Sequence, residues 1–282
     1  MNNIESIYCI CLDERRLHME NFFSKMLVDN INYIQPILGK DLQNKYTVED
    51  MVKNNFIRED HKRLTNRDGS FNYNKLANTF SFINTLKQFL LTSKSNCIIF
   101  EDDLFIPNSN EVSLINIKLN LLFKKINKKW QYINLGRCWD ESCNVKYKKE
   151  HFEVTHCLPV CTHAIVLKRD IAYNLINNTL PLSQPKDNTW RELIHKNSYW
   201  MNYSYCIVPS IFSQDRNKLT STLGNFNSQK ECSGNTYTIN KFLKYFKPSN
   251  IEHFYNFENK KNNYLYFIII LSLLYILYKW KI

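Results

Sequence analysis

The sequence predicts an α/β protein: a mainly parallel sheet flanked by helices, followed by a C-terminal transmembrane helix. Three observations carry this reading. Apolar runs of strand length alternate with helix-period stripes from Ile7 to Val208, the pattern of βα units laid into a parallel sheet. One such run, Cys97-Ile98-Ile99-Phe100, feeds straight into Glu101-Asp102-Asp103, and open α/β folds place their ligands at the carboxyl ends of strands. Finally, Tyr264 to Tyr278 is a run of fifteen residues with no charge and a single Ser.

Taken in order, Ile7 to Leu12 reads as a first core strand. It is too short, and lacks the basic flank, to be a secretory signal. Asp13 is placed to cap a helix whose apolar positions are Leu17, Phe22, Phe23, Met26 and Leu27. Ile31 to Ile37 is a second strand, ended by Gly39, so the chain opens with a β-α-β unit. Lys40 to Tyr73 is polar, with a short helix expected near Val48 to Asn54 and a turn at Asp68-Gly69. Leu76, Phe80, Ile83, Leu86 and Leu90 then form one helical stripe leading into the Cys97 strand. A further helix runs from about Ser113 to Ile126, followed by a strand at Tyr132 to Leu135. Ala164 to Leu167 is a short buried strand, Arg169 to Asn178 a helix, and Asp187-Asn188-Thr189 caps another helix to about Lys196. Tyr203 to Val208 closes the sheet at Pro209.

The tail is different in kind. Residues 216–262 read as a polar linker and 263–280 as a membrane anchor, leaving 1–215 as the folded domain. At 1.5 Å per residue the uncharged run spans ~22 Å, short of the ~30 Å hydrocarbon core. Trp280 and snorkelling Lys261, Lys279 and Lys281 cover the difference. Its ten Leu, Ile and Phe residues contribute about −3 to −6 kcal/mol toward insertion. Lysines flank both ends, so charge does not fix the orientation; a cytosol-facing domain on a single-pass anchor is the simplest topology.

Composition narrows the function. With 44% hydrophobic and 22% charged residues among 282, the chain is globular. Five glycines and no G-x-G-x-x-G or Walker run exclude a Gly-rich phosphate loop. The net charge of +11 suits an anionic partner such as a diphosphate-bearing substrate. Its densest patches, Lys124, Lys125, Lys128 and Lys129, then Lys146, Lys148 and Lys149, read as solvated faces, and no nucleic-acid partner is expected. Nine cysteines lack a repeated C-x-x-C, so no zinc set is completed. Cys9 and Cys11 share a strand face, Cys138/Cys143 and Cys157/Cys161 are spaced to permit a disulfide, and reduced thiols are the expectation for a cytosolic protein.

The chemistry centres on Glu101, Asp102 and Asp103. Three adjacent negative charges repel, and a hard divalent cation, Mn²⁺ or Mg²⁺, is the natural group to sit on them while bridging phosphates. The plainer reading is a solvated acidic loop.

The order of motifs resembles the family-25 glycosyltransferases, the lipooligosaccharide and collagen galactosyltransferase group. The likeness runs from Ile7 to Ser221. Cys11-Leu12-Asp13-Glu14-Arg15 resembles the family's opening turn, Leu38-Gly39-Lys40 its Gly-Lys, and Leu76–Leu90 with Glu101-Asp102-Asp103 its helix and acidic motif. Thr162-His163-Ala164, Pro185-Lys186-Asp187 and Pro209-Ser210-Ile211-Phe212-Ser213-Gln214 resemble its later blocks. Where that family carries Ser-His, this chain has Ser81-Phe82, and Cys11 replaces a common Asn.

The resemblance implies a GT-A-like fold and metal-dependent transfer of a hexose, often galactose, from a nucleotide-sugar donor to a glycan or protein acceptor. It implies metal ligation by Glu101, Asp102 and Asp103, and donor contacts from Arg15, Lys40, Ser81, Asp102 and Gln214. Asp187 is the candidate base beside the metal-side Asp103. Asp187 also reads as an N-cap, Arg15 as a helix-start charge, and His163 as a core histidine. The Phe82 substitution leaves a second class open: an inactive, membrane-tethered binding protein. A two-metal nuclease or phosphotransferase is a third reading, and it lacks further clustered carboxylates.

Overall fold

The computed structural model describes residues 4–136, 153–156, 158, 160–208, 210–215, 218 and 219. They fall in one compact unit. The expected linker, apart from 218 and 219, and the expected anchor at 263–280 lie outside the described residues, as do Cys138, Cys143, Cys157 and Ser221. Among the described residues, no helix is long and apolar enough to cross a membrane.

Among the described residues, seven strands form one sheet. They are β1 (Ile7–Ile10), β2 (Ile31–Ile34), β3 (Asn96–Glu101), β4 (Tyr132–Asn134), β5 (Glu153–Thr155), β6 (Ala164–Lys168) and β7 (Ser204–Val208), in the order β2-β1-β3-β6-β4-β7-β5. Pairs β1–β2, β1–β3 and β4–β7 are parallel; β3–β6, β4–β6 and β5–β7 are antiparallel. The sheet is therefore mixed, which corrects the mainly parallel expectation. Strand β6 is entered from another strand rather than from a helix, so the alternation rule gives its direction wrongly. A short strand buried on both faces carries no directional mark in its sequence.

Helices cover both faces, as an α/β layer structure requires. Successive residues of a strand point to opposite faces. Ile7 and Cys9 accordingly pack on one side with Met19, Phe22 and Phe23 of α1 (Arg16–Lys25) and Ile115, Leu119 and Leu122 of α5 (Ser109–Lys125). Tyr8 and Ile10 pack on the other side with Phe82, Leu86 and Phe89 of α4 (Tyr73–Leu91), Leu175 of α6 (Arg169–Asn178) and Trp190 of α7 (Lys186–Lys196). A third cluster joins α2 (Gly39–Lys45), α3 (Val48–Lys53), Leu76 and Leu182. A short α8 (Ser198–Asn202) precedes β7.

Two expected caps are not made. Asp13 begins a 3-10 turn, Asp13–Arg15, with Leu12 in the cap position and no side-chain cap bond. Asp187 lies inside the first turn of α7, behind Pro185, and its carboxylate bonds across the fold instead. Of the expected apolar positions, Phe22, Phe23 and Met26 are buried, with Met19 beside them, whereas Leu17 and Leu27, the latter beyond the end of α1, are exposed.

Candidate active site

The directions of the strands bring several chain segments to one edge of the sheet. Strands β1 and β3 end side by side there, and β6, running the other way, begins there. Asp102 ties the first two together. Its Oδ2 accepts the Leu12 amide at 2.9 Å and its Oδ1 accepts the Arg15 guanidinium at 2.9 Å, with both side chains largely buried. Burial raises the Asp102 carboxyl above its ordinary pKa, while the Leu12 N–H and Arg15 draw it back. Asp103 is buried, and both of its oxygens take the Gln214 side-chain amide at 3.0 Å. A short antiparallel bridge, Leu104 to Gln214, sets that contact, and the Asp215 amide donates to the Asp103 carbonyl at 2.7 Å.

Glu101, Asp102 and Asp103 line one cleft with Arg15, Ser81 and Gly39. Its apolar wall comes from Ile10, Leu12 and Ile37. Ser81 shapes that wall, accepting the Ile37 amide at 2.9 Å while donating to the Ala77 carbonyl. Gly39 is required because a Cβ there would fall 2.0 Å from the Asn74 side-chain oxygen. Asn78 faces the same space from α4.

Beside the cleft lies a second charged group. Lys186 has a side chain only 1% exposed, and its Nζ stands 3.8 Å from Glu101 and 3.5 Å from Asp187. It donates to the Thr162 hydroxyl at 2.7 Å and lies 2.9 Å from the centroid of the Phe82 ring. Burial pushes the Lys186 pKa down, and Asp187 and Glu101 hold it up. Asp187 accepts the Cys161 amide on Oδ2 at 3.1 Å and the Thr162 hydroxyl on Oδ1 at 3.0 Å. Cys161 has φ 86°, in the left-handed region, its carbonyl takes the Asn134 amide at 2.7 Å, and its sulfur is in a disulfide. That bond corrects the all-thiol expectation for Cys161; Cys9, Cys11, Cys97 and Cys206 are buried thiols outside any disulfide.

The sequence-derived residues thus divide. Arg15, Ser81, Glu101, Asp102 and Asp103 meet in the cleft, and Gln214 backs it through Asp103. Asp187 joins through Lys186, which also touches Glu101. Lys40 is exposed and is not among the lining residues, although its neighbour Gly39 is. His163 is buried, as expected of a core histidine, with Nε2 3.3 Å from the Phe212 carbonyl. Gly136 makes room for that ring, since a Cβ would lie 2.1 Å from it. Phe82, in the position where the resembled family has His, is fully buried and stacks edge-on against Trp190. Lys186 and Thr162 stand out in the sequence only as parts of motifs; a Lys between Pro and Asp carries no sign in the sequence that it is buried.

No protein-family model matches this chain, and no curated protein matches it. Among the described residues, no group of three His, Cys, Asp or Glu side chains is arranged to hold a metal ion. The donors nevertheless fit a hard cation in kind: three carboxylates border one cleft. A carboxylate offers about four lone-pair positions, so the Gln214 bond to Asp103 is compatible with ligation.

Proposed function

We propose that the chain is a metal-dependent glycosyltransferase of the family-25 type, with a GT-A-like fold, moving a hexose from a nucleotide-sugar donor to a glycan or protein hydroxyl. One observation carries the reading: Arg15, Ser81 and the Glu101-Asp102-Asp103 run, distant in sequence, border a single cleft at the carboxyl ends of β1 and β3. This is where open α/β sheets bind nucleotides.

In this reading Asp103, with Asp102 or Glu101, would hold a Mn²⁺ or Mg²⁺. When bound, such an ion neutralises charge that develops on a leaving diphosphate. Arg15, held on Asp102 and lining the same cleft, brings a guanidinium charge to the side where phosphate oxygens would lie. The apolar wall from Ile10 to Ile37 receives the flat face of the base. Asp187 takes the acceptor proton: the acceptor oxygen bonds to the anomeric carbon as the bond from that carbon to the diphosphate oxygen breaks. The electron pair of the broken bond leaves with the nucleoside diphosphate. We place the protein on a membrane through residues 263–280.

The second reading, a tethered binder without turnover, is favoured by Phe82, which supplies no titratable group. Lys186 and Asp187 beside it supply two, and this supports the enzyme. The test is hydrolysis and transfer from a panel of UDP- and GDP-sugars with Mn²⁺. Turnover of one donor, reduced at least ~100-fold in Asp103→Ala, is the expected result. Donor binding with no turnover for any acceptor supports the binder, and neither binding nor turnover overturns both.

A further inference from the structure

Lys186 is an unusual residue to find sealed inside the protein. Its side chain is 1% exposed, yet the carboxylates it meets, Glu101 and Asp187, are 21% and 30% exposed. It sits in the first turn of α7, where the helix dipole disfavours a cation. Its surroundings on the inner side are apolar: the Phe82 ring at 2.9 Å and the Trp190 ring at 5.3 Å. Replacing a buried ionic group by an apolar one of similar volume is often neutral or stabilising, so packing alone gives no reason for an ammonium here. The geometry does give one. The Nζ and the Thr162 hydroxyl form a relay in which the ammonium donates to Oγ1 and Oγ1 donates to Asp187 Oδ1. The Cys161 amide holds the other Asp187 oxygen, so the carboxylate is fixed at both ends.

We infer that Lys186 is a positioning residue: an internal cation, seated on the Phe82 ring, that holds Asp187 beside Glu101 at the border of the cleft. The inference rests on the transferase reading of this site and adds to it the residue through which the base acts. Lys186 touches no substrate in this role. It compensates two like charges that would otherwise repel, and the aromatic face beneath it takes up part of the cost of burial.

Lys186→Met fills the same space without charge. In the full chain, with Mn²⁺ and a turned-over donor, kcat is expected to fall at least 30-fold while the donor KM changes less than threefold. In an Asp187→Asn background the same substitution should change kcat less than threefold, because residues that act as a unit are not additive. Thr162→Val, which cuts the relay and keeps both charges, should lower kcat about tenfold and covers the case of a poorly folding Met variant. Wild-type kcat in either single variant, or losses that multiply in the double one, would overturn the proposal. Should the wild-type chain turn over no donor, the transferase reading fails and the linkage is judged by denaturant unfolding of the same four-variant Lys186/Asp187 cycle. Coupling of at least tenfold in the unfolding constant then supports Lys186 as the partner of Asp187; additivity overturns it.

Discussion

Lys118 lies on α5 with its side chain buried, and burial holds its pKa down to about 8. In the unfolded chain the amine titrates near ~10.4. Between those values the unfolded chain binds more protons, so stability rises with pH across that window. Below it both states are charged and the penalty is complete, about 3 kcal/mol at 1.36 kcal/mol per pKa unit. Lys118→Met removes this titration, so the Tm of the variant relative to wild type is expected to be higher at pH 7 than at pH 10.5. Thermal melts of the two proteins at both pH values check this; a gap that does not change with pH would mean that the amine is not its source. Lys118 and Lys186 show the same limit of sequence reading. Each is written as an ordinary lysine, and only its place in the fold makes it a buried charge.

At the scale of elements, the end of α4 depends on one side chain from α6. The Arg169 guanidinium donates to the carbonyls of Phe89, Leu90, Thr92 and Lys94, at 2.6 to 3.4 Å. Helix ends leave their last carbonyls without partners, and a cation there also meets the dipole favourably. Arg169→Met should cost roughly 1.5–3 kcal/mol, the range for hydrogen bonds to a charged group. Arg169→Lys should recover little, since one ammonium cannot reproduce the fork. Urea unfolding of the three proteins measures this, and full recovery by Lys would count against the fork. The stripe Leu76 to Leu90 made α4 legible, but the Arg169 clamp was not, because its acceptors are backbone atoms 75 to 80 positions away. Asp187 failed as a cap for a related reason. Pro185 holds the cap position, and the Asp187 oxygens find donors at Cys161 and Thr162.

For the whole molecule, the anchor proposal gives a direct experiment. The full chain should remain with membranes through high-salt and carbonate washes and come off with detergent, while residues 1–262 should stay in the supernatant. A full chain that washes off with salt would overturn insertion and leave charge attraction from the +11 surface. The side of the membrane is a separate matter. Disulfides persist in oxidising compartments and reduced thiols in the cytosol, so differential alkylation of the non-reduced protein, read at Cys161 by mass spectrometry, decides it.

Hydrophobic periodicity determined the element types: the strands at Ile7, Cys97, Tyr132, Ala164 and Ser204 and the helices between them each form near the expected place. It determined the acidic strand end too, because adjacent residues remain adjacent in any fold. Tertiary structure alone decided strand direction and the partition of the carboxylates, with Asp102 on Arg15, Asp103 on Gln214, and Glu101 and Asp187 on Lys186. The physical reason is one of range. Periodicity records which side of an element meets the core, whereas a charge is settled by the partners that packing brings within a few ångströms, and these come from segments far apart in the chain.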